Sequence, residues 1–186
     1  MHATLCDYIA DIVQNSLEAG ADRVGLEIGT GGSNIEVTVS DNGKGMEPAV
    51  LAAARDPFWS EPGKHDARRV GLGLPFLQQV ADATGGRLTV ETAAGAGTTV
   101  AFCLPAAHWD TPPLGDIPGT VAGLMSFADD STDLILTRSH GGQGYSISRH
   151  ELCEALGGLQ DAGSLTLLRD FLRSQETELL EGFQGE

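Results

Sequence analysis

Apolar residues at Leu5, Ile9, Ile12 and Ser16/Leu17 recur at helical spacing, and Gly20 follows as a stop, so the chain is predicted to open with a helix. The pattern then changes period. "RVGLEIG" and "NIEVTVSD" run β-branched or alternate, and the intervening "TGGS" supplies the turn of an antiparallel hairpin. "GLGLPFLQQVADATGG" reads as a glycine-rich loop feeding a helix, with Pro75 tolerated in its first turn and Gly85-Gly86 ending it. In "RLTVETAAGAGTTVAFCLP" two more strands flank a Gly/Ala turn, the second with Val100, Phe102 and Leu104 alternating.

Helix, two strands, short helix, loop, helix and two strands predict an α+β sandwich, with helices on one face of a mixed sheet. A βαβ dinucleotide fold is not expected. Beyond Pro105, "AAHWDTPPLGDIPG" is rich in Pro and Gly and marks a linker or an extended wrap over about 106–118. A small α+β lobe is predicted for 119–175: a helix near 119–127, strands at 133–138 and 144–148 around "GGQG", a helix opened by the capping pattern Ser148/Glu151, and a last helix over about 164–173. The acidic tail over 176–186 is predicted to fray.

Charge narrows the function classes. A net charge of −15 and a pI near 4.5 disfavour a phosphate-backbone binder, which needs clustered Lys and Arg, so no nucleic-acid partner is expected. The three cysteines, Cys6, Cys103 and Cys153, are too far apart for a metal knuckle and odd in number for a disulfide framework. They read as buried thiols of a cytoplasmic protein. No apolar run approaches the ~18 residues of a membrane span and no leader-like segment opens the chain, so no membrane partner is expected either.

Four stretches carry candidate chemistry. Asp11 and Asn15 are four apart and share one helix face, where both can meet one ligand. In "VSDNGKGM" a strand ends at Asp41, and Gly43 and Gly45 follow with no Cβ to obstruct a flat ring or a phosphate; a strand-end carboxylate there suits an adenine amino group. "RRVGLGLP" puts glycines before a helix N-terminus, whose free N–H groups attract phosphate. Lys64, Arg68 and Arg69 precede it as a cationic flap. Taken singly, each stretch has an ordinary alternative: a surface Asn, a turn, a close-packed helix start, a solvated basic loop. Their order and the elements between them favour a shared site.

In that order the motifs resemble the Bergerat ATP-binding fold of the GHKL superfamily, which includes gyrase, the heat-shock chaperone, histidine kinases and MutL. "DIVQNSLEAGA" resembles its N box, "DNGKGM" its first glycine box and "GLGLPFLQQVADATGG" its second, while "DPFWSEP" and "GAGTTVAFCLP" are similar to the Phe-containing box and closing strand of histidine-kinase catalytic domains. The resemblance spans about residues 5–105, within an ATP-binding domain drawn over 1–105. It implies that Asn15 coordinates Mg²⁺ on the phosphates of ATP and that Asp41 accepts a hydrogen bond from the adenine amino group. It implies too that Gly43, Gly45 and Met46 border the ring, that Gly71, Leu72, Gly73 and Leu74 wrap the phosphates with Lys64, Arg68 and Arg69, and that Thr98 or Thr99 reaches the base through water.

Hydrolysing members of the superfamily carry a Glu where this chain has Asp11, acting as general base for the attacking water. Asp is one methylene shorter, and two roles stay open: the base itself, or a partner of a Mg²⁺-bound water. With ten residues ahead of Asp11, no phosphoacceptor hairpin of a complete histidine kinase is expected, and His2, His65, His108, His140 and His150 lack acceptor-like surroundings. The chain is also too short and too acidic for a MutL or gyrase reading. "DPFWSEP" and "PLGDIPGTVAGLM" are similar to small ATP-binding proteins encoded near iron hydrogenases, which suggests a hydrogenase-related partner; a homodimer is a further expectation. Three functions remain: a slow ATPase or nucleotide-driven switch acting on a partner protein, a protein kinase acting in trans like the anti-sigma-factor kinases, and an ATP sensor that binds without turnover.

Overall fold

The computed structural model describes residues 4–54 and 73–182. Helix α1 (Leu5–Glu18) begins at a capping box: the Thr4 hydroxyl accepts from Asp7 N–H and the Asp7 carboxylate accepts from Thr4 N–H. Its buried stripe, Leu5, Ile9, Ile12, Val13 and Ser16, follows the periodicity read from the sequence. Strands β1 (Arg23–Thr30) and β2 (Asn34–Asp41) form the expected antiparallel hairpin. After a short helix α2 (Pro48–Ala54), α3 (Gly73–Thr84) leads into the antiparallel pair β3 (Arg87–Thr92) and β4 (Thr98–Pro105). The remainder is α4 (Ile117–Phe127), β5 (Asp133–His140), β6 (Gln143–Ser148), α5 (Arg149–Leu156) and α6 (Ala162–Gly182).

The six strands among the described residues form one sheet in the order β3-β4-β2-β1-β5-β6. One pairing in it is parallel, β1 on β5, with Val24 opposite Leu134 and Leu26 opposite Leu136; the others are antiparallel. Alternation puts Val24, Leu26 and Ile28 of β1, Val37 and Val39 of β2, Val100, Phe102 and Leu104 of β4, and Leu134 and Leu136 of β5 in the buried core. Helices α3, α1, α4 and α6 pack side by side over that face. The α+β class with helices over one face of a mixed sheet is therefore as expected.

The C-terminal part differs from the expectation of a separate lobe over 119–175. Strands β5 and β6 extend the same sheet, because β1 leaves one edge unpaired by β2 and β5 fills it along its whole length. The Pro/Gly stretch is a wrap rather than a free linker: the carbonyls of Pro113 and Leu114 accept from Leu5 and Cys6 N–H at 2.8 and 2.9 Å, satisfying two of the donors that a helix start leaves open.

Over 176–182 the tail departs from its expected fraying, since α6 continues to Gly182; residues 183–186 lie outside the described residues. The reason is a buried cation. Arg138 on β5 is 2% exposed and its Nε lies 3.0 Å from Glu176 of α6, while its Nη1 donates to Ile28 O and Thr30 Oγ1. Tyr145 of β6 donates to the same carboxylate at 2.8 Å. A buried charge without its partner is costly, so Glu176 fastens α6, and Leu179 one turn on is buried as well. Among the described residues no helix is long and apolar enough to cross a membrane.

Candidate functional site

Asp41, the last residue of β2, is held from three directions. Its Oδ1 accepts from Gly43 N–H at 2.9 Å and from Thr98 N–H at 3.2 Å, and its Oδ2 accepts from the Ser16 hydroxyl at 2.7 Å. Together the three donors fix the carboxylate between the first helix and the mouth of the sheet. A carboxylate has about four lone-pair positions, so one remains, on Oδ2. Asp41 is half-buried, so the residue keeps some contact with solvent.

The glycine segment after it is laced into its surroundings. Asn42 accepts from Asp22 and Arg23 N–H and donates to the Asp22 carboxylate, which anchors the start of β1. Lys44 N–H donates to Ala19 O at the end of α1, and Lys44 O accepts from Gly95 N–H in the β3–β4 turn. Gly45 has φ +61°, and a Cβ there would stand 1.9 Å from Ala93 O. A Cβ at Gly43 would stand 3.0 Å from Ala19 Cβ. The need for glycine at both positions thus has a source in the chain's own backbone, independent of any bound ring. Met46 is half-buried, and its N–H donates to Thr92 Oγ1 at 2.9 Å.

Asp11 and Asn15 do stand one turn apart on α1, the first half-buried and the second exposed. Gly73, the first residue of α3, is buried against Asp11: a Cβ there would lie 3.2 Å from both Cβ and Oδ2 of the aspartate. The N box and the second glycine box therefore meet at this contact. Leu74 is half-buried and packs against the core. Lys64, Arg68, Arg69, Gly71, Leu72 and the "DPFWSEP" stretch lie outside the described residues.

Alternation separates the two threonines. Thr98 lies opposite Asp41 in the β2–β4 register and shares the helix-covered face with Val100 and Phe102. Thr99 lies opposite Ser40, on the uncovered face whose groove of about 400 Å³ is lined by Gly25, Ser40 and Thr137. The structure thus brings Thr98, and not Thr99, beside Asp41. Two neighbours of Asp41 and Thr98 were not singled out from the sequence, Ser16 and Thr92. The signal for Ser16 was available, a hydroxyl on the apolar stripe of α1. Thr92 offered none, since its role depends on which loops converge on the end of β3.

Among the described residues no group of three His, Cys, Asp or Glu side chains is arranged to hold a metal ion.

Residues 3–108, more than half of the chain, match the family model described as histidine kinase-, DNA gyrase B-, and HSP90-like ATPase. Histidine protein kinase DivJ of Caulobacter vibrioides is 38% identical over 72 residues, covering 38% of this chain and 12% of that protein. DNA mismatch repair protein MutL of Thermotoga maritima is 34% identical over 89 residues, covering 45% of this chain and 17% of its own length. The chain therefore spans only a small part of these curated relatives. The crystal structure of the N-terminal domain of a DNA repair protein superposes with a TM-score of 0.56 over 88% of this chain and 59% of that one, at 14% identity, a likeness of fold.

Proposed function

Because the chain belongs to the histidine kinase-, DNA gyrase B- and HSP90-like ATPase family, we propose that it binds ATP with Mg²⁺ at the Asp41 site and works as a slow, nucleotide-driven switch on a partner protein. The observation that carries this reading is the Asp41 carboxylate, held by Ser16, Gly43 and Thr98 with one lone pair left for a single donor. A 6-amino group supplies that donor and a 6-oxo group does not.

The donor set also suits the cation. Mg²⁺ takes oxygen ligands and keeps several waters, so the exposed Asn15 amide oxygen, with phosphate oxygens, would hold it; bound there, it neutralises phosphate charge. The protein's own contributions follow from position. Asp41 orients the base, α1 presents Asn15 and Asp11 along one face, and Asp11 accepts a proton from the attacking water. Gly73 lets the start of α3, with N–H groups that attract phosphate, close onto that face.

Release of labelled phosphate from γ-labelled ATP with Mg²⁺ tests this, comparing the wild type with Asp11→Asn at matched nucleotide occupancy. Release by the wild type and a loss of about 100-fold or more in the variant support a working base. Equal release from both proteins removes Asp11 from the chemistry. Binding without release from either protein overturns the ATPase reading and leaves transfer to a protein acceptor or sensing.

A further inference from the structure

The two edges of the sheet differ in charge. Strand β3 carries Arg87 and Glu91, side chains of the kind that keep an edge from pairing with another chain, whereas β6 has no charged residue and no proline. Which backbone groups β6 leaves open follows from the register. Asp133 N–H donates to Asp22 O and Gly141 N–H to Thr30 O, so odd-numbered residues of β5 turn their backbone groups to β1 and even-numbered ones to β6. Opposite Leu136, Arg138 and His140 stand Ile147, Tyr145 and Gln143. Gly144 and Ser146 therefore point their N–H and C=O groups out of the sheet, and no described residue hydrogen-bonds to those groups.

Helix α6 adds apolar surface beside this edge. It packs on β5 and β6, and Glu176 reaches inward from it to Arg138. Leu167 and Phe171, 59% and 43% exposed, lie one turn apart on the opposite flank of the helix from Glu176 and so look outward, past β6.

We infer that the β6 edge is a self-association surface whose occupant is β6 of a second copy, paired antiparallel about a two-fold axis. Such a pairing needs a patch complementary to itself. With the axis at Tyr145, Gly144 of one copy stands opposite Ser146 of the second copy, and the two exchange N–H···O=C bonds, so the open groups of both residues find partners. Each copy carries a charge of −15, and an uncharged strand is where two copies meet without setting like charges opposite one another. The patch is small. A strand about 20 Å long and, with its helix, about 20 Å thick covers about 800 Å² in all, against about 1,200 Å² for a stable complex, so the pair is reversible.

Sedimentation equilibrium of the full chain from about 5 to about 500 µM tests this, in the wild type and in Ser146→Pro. Proline there removes the outward N–H and nothing that β5 uses. The wild type should pass from monomer to dimer, further at high salt, which screens the repulsion between acidic copies. Ser146→Pro should stay monomeric at every concentration. Amide exchange at Gly144 and Ser146 of the wild type should slow as concentration rises. A wild type monomeric throughout, or a dimer that Ser146→Pro leaves intact, overturns the inference. If the variant fails to fold, the exchange decides: rates at Gly144 and Ser146 that ignore concentration while the mass doubles place the contact elsewhere and overturn it equally. A synthetic peptide of alternating Val and Lys is the probe for a foreign strand, and protection of these amides by the peptide alone overturns the second copy as occupant.

Discussion

Gly73 and Asp11 stand so close that any side chain on the first residue of α3 would press on the aspartate: a Cβ would lie 3.2 Å from its Oδ2. Alanine favours a helix interior by about 1 kcal/mol over glycine, but at this first position the crowding of Asp11 offsets the gain, so Gly73→Ala should melt close to the wild type. Moving Asp11 by a few tenths of an ångström should nonetheless slow phosphate release, by about tenfold. Thermal melts and single-turnover release on the same preparation separate the two effects.

Asn15→Ala removes an exposed amide from α1 and should leave the fold intact, with a melting temperature at or slightly above the wild type. Calorimetric titration with ATP should lose its dependence on Mg²⁺. Unchanged Mg²⁺ dependence would remove Asn15 from the metal site.

Asp41→Asn keeps an acceptor for Gly43 and Thr98 N–H but turns the open lone pair into N–H. Affinity should fall for ATP and rise for ITP. Ser16→Ala keeps the charge and loses one tether at 2.7 Å, so ATP binding should weaken by about tenfold without a change in preference. Competition binding of the two nucleotides distinguishes these outcomes.

Ser16 and Thr92 also mark what the sequence could disclose. The elements up to β4 were legible because α1 keeps its apolar stripe and β1, β2 and β4 alternate cleanly, and Asp41 stood out as a carboxylate where a strand gives way to glycines. Ser16 could have been inferred from its place on that stripe. Thr92 could not, because Met46, Gly97 and Thr98 come together around it only once the β3–β4 hairpin is seated on the glycine segment. The membership of β5 in the same sheet is hidden for a similar reason: nothing local in "LILTRSH" says that it pairs with β1 more than a hundred residues earlier. The length of α6 was hidden too. "QETELLEG" is acidic and looks solvated until Arg138 supplies a buried cation for Glu176.

Glu176→Gln should test that anchor. Loss of the carboxylate leaves Arg138, 2% exposed, without its counter-charge, and should destabilise the protein by about 3 kcal/mol in urea titrations. Protease cleavage should then begin within α6. A variant as stable as the wild type would show that the carbonyl and hydroxyl partners of Arg138 suffice.

Alkaline pH should weaken the fold through Cys6. Burial pushes its thiol from 9.0 up to about 11, against a smaller opposing hydrogen bond with Thr120. From pH 9.0 to 11 the unfolded chain ionises this group and the folded one does not, so stability falls across that window and is unaffected by it below. Tyr145, also raised by burial and by Glu176, extends the loss to higher pH. The urea midpoint of Cys6→Ala should fall less steeply than that of the wild type between those limits.

The ladder between β1 and β5 imposes an order on the making of the molecule. Thr30 and His140 face each other in it 110 positions apart, so β1 emerges from a ribosome long before the strand that covers its far edge. Until then a row of unpaired N–H and C=O groups is open to the edges of neighbouring chains, and closure over such a separation is slow. The residues that form the candidate site, all of them ahead of β5 in the chain, therefore rest on a sheet completed by strands made after them. A ribosome that stalls between the two releases an adhesive fragment instead of a smaller working protein, and a chaperone's hold is most needed in that interval.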